Sequence, residues 1–148
     1  MLDLIENYKQ ARMDFLVLVQ RFPKDQRNAS LMGGMSLKDL LVHLASWDLL
    51  YADHLEEFSQ GINPTIIEDK DTLNAKFLEE GKDQDWEESY ENLLESGAVF
   101  IETLKEFPTE LETKFIYEGY NITPKDLVIE NINHYSKEHL ALVESISI

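Results

Sequence analysis

The side chains with chemical potential fall in two places. His43, Trp47, Asp48 and Tyr51 lie close together in the first half of the chain, and Tyr135 and His139 lie near its end. A His, or Asp48, beside a water can act as a general base, a task worth about 10²–10⁴-fold in rate. The Tyr135 phenol can donate a hydrogen bond to a developing anion. His43 and His139, if they meet at one depth, can share a site. Trp47 and Tyr51 suit the wall of a small-molecule pocket. Cys is absent, which removes thiolate nucleophiles, thiolate ligands and disulfides. Any metal must rest on His, Asp, Glu or Tyr.

These residues need elements to position them. The 148 residues suit one domain spanning 1–148, with 43% apolar residues for a core. No repeat or low-complexity tract interrupts them, and the apolar spacing is helical almost throughout. A first helix spans about Leu2 to Phe22 and stops at Pro23. A second opens at Ser36, an N-cap with Asp39 at N3, and runs to about Ser59 before Gly61 and Pro64. A short third fits Asp71–Glu80, and a fourth fits Asp85–Phe107 ahead of Pro108. Residues 109–122 read as a loop or a short extended piece. Thr123-Pro124-Lys125-Asp126 opens the last helix, to about Ile146, with Thr as N-cap and Pro at N1. The expected fold is all-α, a four-helix bundle with a short extra helix in its long middle connection. At roughly 25 residues that connection can cross the bundle, so the second and fourth helices run parallel, up-down-down-up.

A wheel of about 100° per residue assigns the faces. On the second helix, Leu37, Leu44, Asp48, Tyr51 and Leu55 cluster within about 40°, while His43, Trp47 and His54 form a flank at about 240°–280°. His54 is expected at the surface or rim. On the last helix His139 centres a face shared by Val128, Ile132, Tyr135, Leu142, Val143 and Ile146. His134 falls about 140° away, at the edge or exposed. If the two helices are antiparallel, His43 and His139 share a depth. Each residue also has a plain structural reading. An inward His can be a hydrogen-bonded core residue, Trp47 can be core, and a buried Asp48 can cap a Tyr or pair with a cation.

Charge excludes other classes. Lys and Arg number 13 against 29 Asp and Glu, a net charge of −16. Such a chain is unsuited to gripping nucleic acid or an anionic membrane. Acids replace the basic start of a signal peptide, and no apolar run nears the ~18–20 residues of a membrane span. A cytoplasmic location is expected.

The stretch SLKDLLVHLASWDLLYADHL (Ser36 to Leu55) resembles the second helix of the DinB-like four-helix bundles, and within them is most similar to the ClbS/DfsB branch. LNAKFLEEGKDQDWEESYENLLES (Leu73 to Ser96) resembles that branch's middle region, and NHYSKEHLALV (Asn133 to Val143) its last helix. The resemblance implies an up-down-down-up bundle. It also implies, in many members, nickel or zinc held by three His, one on the second helix and two on the last, four residues apart. His43 matches the first position and His139 the last. The position four before His139 is Tyr135, and His134 stands five before it, off the shared face at α-helical spacing. Two His leave a divalent site short unless Asp48 or Tyr135 completes it.

Three functions follow as expectations. The first is a ClbS/DfsB-type binder or hydrolase of electrophilic small molecules, its pocket lined by His43, Trp47, Tyr51, Tyr135 and His139, with Asp48 or a His as base. The second is a metal-dependent thiol transferase of the wider superfamily. The third is a non-catalytic interaction protein that forms a homodimer or meets a basic partner.

Overall fold

A computed structural model describes residues 1–28, 30 and 34–139, with side chains as far as Lys137. Helices account for most of it: α1 (Leu2–Arg21), α2 (Leu37–Ser59), α3 (Lys70–Gly81), α4 (Trp86–Glu106) and α5 (Pro124–Asn133). No strand occurs among the described residues beyond an isolated bridge between Ser30 and Ser36. None of the described helices is long and apolar enough to cross a membrane.

The helix starts follow local chemistry. Ser36 Oγ accepts the Asp39 amide at 3.0 Å, and Asp39 Oδ2 accepts the Ser36 amide at 3.1 Å. Thr123 and Asp126 repeat the exchange at 3.2 and 2.9 Å. Each box satisfies donors that a helix start would leave bare. Asp85 caps α4 by accepting the Glu88 amide, and Asp69 caps α3 by accepting both the amide and the hydroxyl of Thr72.

The directions of the helices can be read from paired residues. Lys38, near the start of α2, donates to the carbonyl of Gln84, just before α4. Asp48 meets Ser96 half-way along, and Leu55–Gln60 and Val99–Phe107 together line a groove at the far end. So α2 and α4 are parallel. Arg12 reaches the Leu93 carbonyl and Gln20 reaches Tyr90, so α1 opposes α4. Residues 2–5 share a cavity with Lys125 and Ile129, which sets α1 parallel to α5. The order is up-down-down-up, as expected.

α5 changes geometry at its end. From His134 to His139 the helix is π-helical, with i→i+5 spacing. At this point the Ser136 hydroxyl donates to the Ile132 carbonyl at 3.0 Å, where it competes with the α-helical ladder. The expected continuation to Ile146 lies outside the described residues from 140 onward. Residues 109–122 are irregular. A 3₁₀ turn at Thr109–Leu111 precedes a loop closed by the Ile116 amide on the Ile122 carbonyl at 2.8 Å. That loop buries Ile116 and Tyr117 against the bundle.

Candidate functional site

The core is held by one carboxylate. Asp48 is fully buried, and burial pushes its carboxyl up from the ordinary range while its hydrogen bonds pull it back. Tyr135 Oη donates at 2.6 Å, and Tyr8 Oη, Ser96 Oγ and Asn131 Nδ2 each donate at 2.9 Å. These donors come from α1, α4, α5 and the π segment. Asp48 thus ties α2 to every other long helix. The Tyr8 and Tyr135 phenols are pushed well above their ordinary range, first by burial and then by the Asp48 charge, so both remain donors. The rings of Tyr8 and Phe15 pack edge-on to Tyr135 at 5.6 and 5.7 Å.

A second cluster lies on the flank of α2. His43, Trp47 and Tyr51 recur at four-residue spacing and form one stripe of the helix. Their partner from the last helix is His134. Its ring lies 5.6 Å from His43, 5.8 Å from Trp47 and 6.3 Å from Tyr51. Helix α3 covers the stripe. Trp47 Nε1 donates to Asn74 Oδ1 at 2.6 Å, and Phe77 stands edge-on to Trp47 at 5.9 Å. The half-open cavity there is about 370 Å³ and takes Met35, Lys70, Asp71 and Glu130 into its wall as well. Burial, and then the charge of His134, lower the His43 pKa to about 4. Its imidazole is therefore neutral at pH 7, the form that binds metals.

The expected site residues thus separate. His43, Trp47 and Tyr51 stand together in the cavity wall. Asp48 and Tyr135 meet each other in the core, and neither lines that cavity. The His139 side chain lies outside the described residues, as do Leu142, Val143 and Ile146. Two placements correct the sequence expectations. His134, expected at the edge or exposed, is half-buried in the cavity beside His43. A uniform α-helical wheel misplaces residues around a π segment. His54, expected at the surface, is buried, with Nδ1 2.7 Å from Tyr117 Oη. The loop before α5 folds over it. Burial lowers the His54 pKa and raises that of Tyr117.

Sequence patterning also passed over Asn74, Lys70 and Glu130. Lys70 Nζ meets Glu130 Oε1 at 2.8 Å and joins the start of α3 to α5. All three are ordinary polar residues on helix surfaces, and only the crossing of α3 over α2 gives them a place.

The residues can be tested against the metal that the resemblance implies. Nitrogen ligands about 2.0–2.1 Å from one ion at a tetrahedral angle set two imidazole ring centres roughly 5.2 Å apart. The His43–His134 separation is 5.6 Å, near that spacing. No group of three or more His, Asp or Glu suited to a metal ion occurs among the described residues. Two imidazoles are the donor type that zinc or nickel takes, and a third ligand would have to come from beyond the pair.

No curated protein matches this chain. A crystal structure of an uncharacterised protein from Escherichia coli UTI89 is similar in fold, with a TM-score of 0.80 at 15% identity over 98% of this chain and 94% of that one. The model of the DinB superfamily matches residues 7–143, nearly the whole length, and the chain belongs to that superfamily.

Proposed function

We propose that this protein acts on a small molecule in the His43–His134 cavity, with a divalent zinc or nickel ion held by those two imidazoles and by His139. The observation that carries this reading is the 5.6 Å approach of two imidazoles from antiparallel helices in the wall of one cavity. The π segment supports it. It begins at His134 and ends at His139, and i→i+5 spacing sets backbone positions five apart about one turn from each other. Such spacing does for residues five apart what an α-turn does for residues four apart.

When bound, such an ion supplies an electrophilic position at which a water or a thiol becomes a nucleophile at neutral pH. The remaining tasks belong to the chain. His43 is kept neutral by burial, the protonation state in which an imidazole serves as a ligand. Trp47, fixed by Asn74, and Tyr51 hold the aromatic side of the cavity. Asp48 and Tyr135 position the helices and take no part in the chemistry.

A metal-free reading of the ClbS/DfsB type is favoured by one feature, the aromatic side that Trp47 and Tyr51 give the cavity, with Phe77 edge-on to Trp47. It would bind an electrophilic molecule by contact alone, with His43 as a base.

Calorimetric titration with zinc and nickel separates the two readings. One equivalent bound by the wild type, and weakened at least tenfold in both His43→Ala and His134→Ala, is the result expected for a metal centre. No binding of either ion, with helical content intact, would overturn it and leave the metal-free reading.

A further inference from the structure

A second, smaller cavity adjoins the first. It measures about 60 Å³, and Ile66, Ile67, Tyr117, Ile122 and Leu127 form its apolar part. Trp47, Tyr51, Lys70 and Glu130 belong to the linings of both cavities. The small chamber is therefore an apolar annex of the imidazole cavity. One water-sized group needs about 10–15 Å³ by this measure, so the annex takes roughly four or five heavy atoms. Ile66 and Ile67 come from the connection between α2 and α3, and the Lys70–Glu130 ion pair joins the end of that connection to α5.

The charges around the larger cavity define the polar end of a ligand. Asp71 and Glu130 set two carboxylates against the single ammonium of Lys70, and that ammonium is already paired with Glu130 at 2.8 Å. The chain as a whole carries −16. With no ion on the imidazoles, an anionic ligand would meet a negative surround, whereas a neutral or cationic one would not.

We infer that the ligand is an uncharged or cationic molecule whose polar head lies in the larger cavity beside the Asp71 and Glu130 carboxylates and whose compact apolar tail, of about four or five heavy atoms, fills the annex. This rests on the reading that the imidazole cavity is the functional site. It adds the ligand class, which the metal alone does not define.

A homologous series of primary alkylamines, from ethylamine to heptylamine, tests it on the purified full-length protein stripped of divalent ions by a chelator, followed by ligand-observed NMR. Affinity is expected to rise about fourfold per added methylene, the transfer value for a CH₂, and to stop rising near five carbons. Pentanoate is expected to bind at least tenfold more weakly than pentylamine. Ile67→Phe, which fills the annex, is expected to abolish the chain-length gradient without changing zinc binding. Ile66→Phe serves as the second filling variant, and circular dichroism checks that each is folded. A flat series would overturn the inference, as would pentanoate binding as tightly as pentylamine. So would a gradient kept in folded filling variants. The arms also separate this inference from the metal reading. A gradient without zinc binding keeps the annex and removes the metal, and zinc binding with a flat series does the reverse.

Discussion

His134 and Tyr135 are neighbours in the chain and serve opposite sides of the last helix. His134 faces the cavity, 5.6 Å from the His43 ring, and Tyr135 faces the core, where its hydroxyl donates to Asp48 at 2.6 Å. The core bond anchors the backbone at the residue after His134, at the start of the π segment. A structural carboxylate and a candidate ligand are thereby coupled through one peptide.

Replacing Asp48 should be severely destabilising. Asp48→Ala leaves the buried donors of Tyr8, Asn131 and Tyr135 without this acceptor and leaves Ser96 only the Leu93 carbonyl. Unsatisfied buried groups cost about 1–3 kcal/mol each, without full additivity. A loss of about 3–5 kcal/mol is expected in urea unfolding, with Asp48→Asn between that and wild type. A loss under 1 kcal/mol would contradict the role given to this carboxylate.

Tyr135→Phe tests the coupling itself. Removing one hydrogen bond to a charged acceptor should cost about 1.5–3 kcal/mol. Zinc affinity should fall with it, although the variant leaves every imidazole in place. Unchanged zinc affinity in a destabilised but folded protein would show that the Asp48 bond does not position His134.

Stability should depend on pH through His43. Its folded pKa, about 4, lies below the ordinary 6.5, so between these values the unfolded chain binds more protons than the folded one. Stability is then full above about pH 6.5 and declines as pH falls towards 4, by up to about 3 kcal/mol. His54, also lowered by burial, acts in the same direction. Urea midpoints across pH 4–7 measure the slope, and His43→Gln should flatten it.

Asn74→Leu should loosen α3. It leaves the Trp47 indole N–H without its acceptor at a half-buried position, at a cost of about 1–3 kcal/mol. Hydrogen exchange should quicken in Lys70–Gly81 before it quickens elsewhere. Uniform quickening would contradict a local role.

The bundle was largely legible in the sequence because its signals are local. Ser36–Asp39 and Thr123–Asp126 mark two helix starts, Pro23 and Pro108 follow two helix ends, and apolar stripes mark the inward faces. The short third helix, expected over Asp71–Glu80, runs from Lys70 to Gly81. The site was legible by halves. His43, Trp47 and Tyr51 share a regular helix, and fixed spacing is enough to group them. Asp48 announced itself as an inward carboxylate, and its partners proved to be core donors. His134 was hidden because placing it requires the π segment, and the only local trace of that is the Ser136 hydroxyl. Lys70, Asn74 and Glu130 were hidden because long-range packing alone brings α3 and α5 to the same cavity.

The most direct test is a zinc titration of ¹⁵N-labelled protein that follows the imidazole nitrogens. The chain has only four His to assign. Ring nitrogens of His43 and His134 are expected to shift together and saturate at one equivalent of zinc, while those of His54, paired with Tyr117, stay in place. Zinc that leaves both His43 and His134 unmoved, or that moves only one of them, would contradict it.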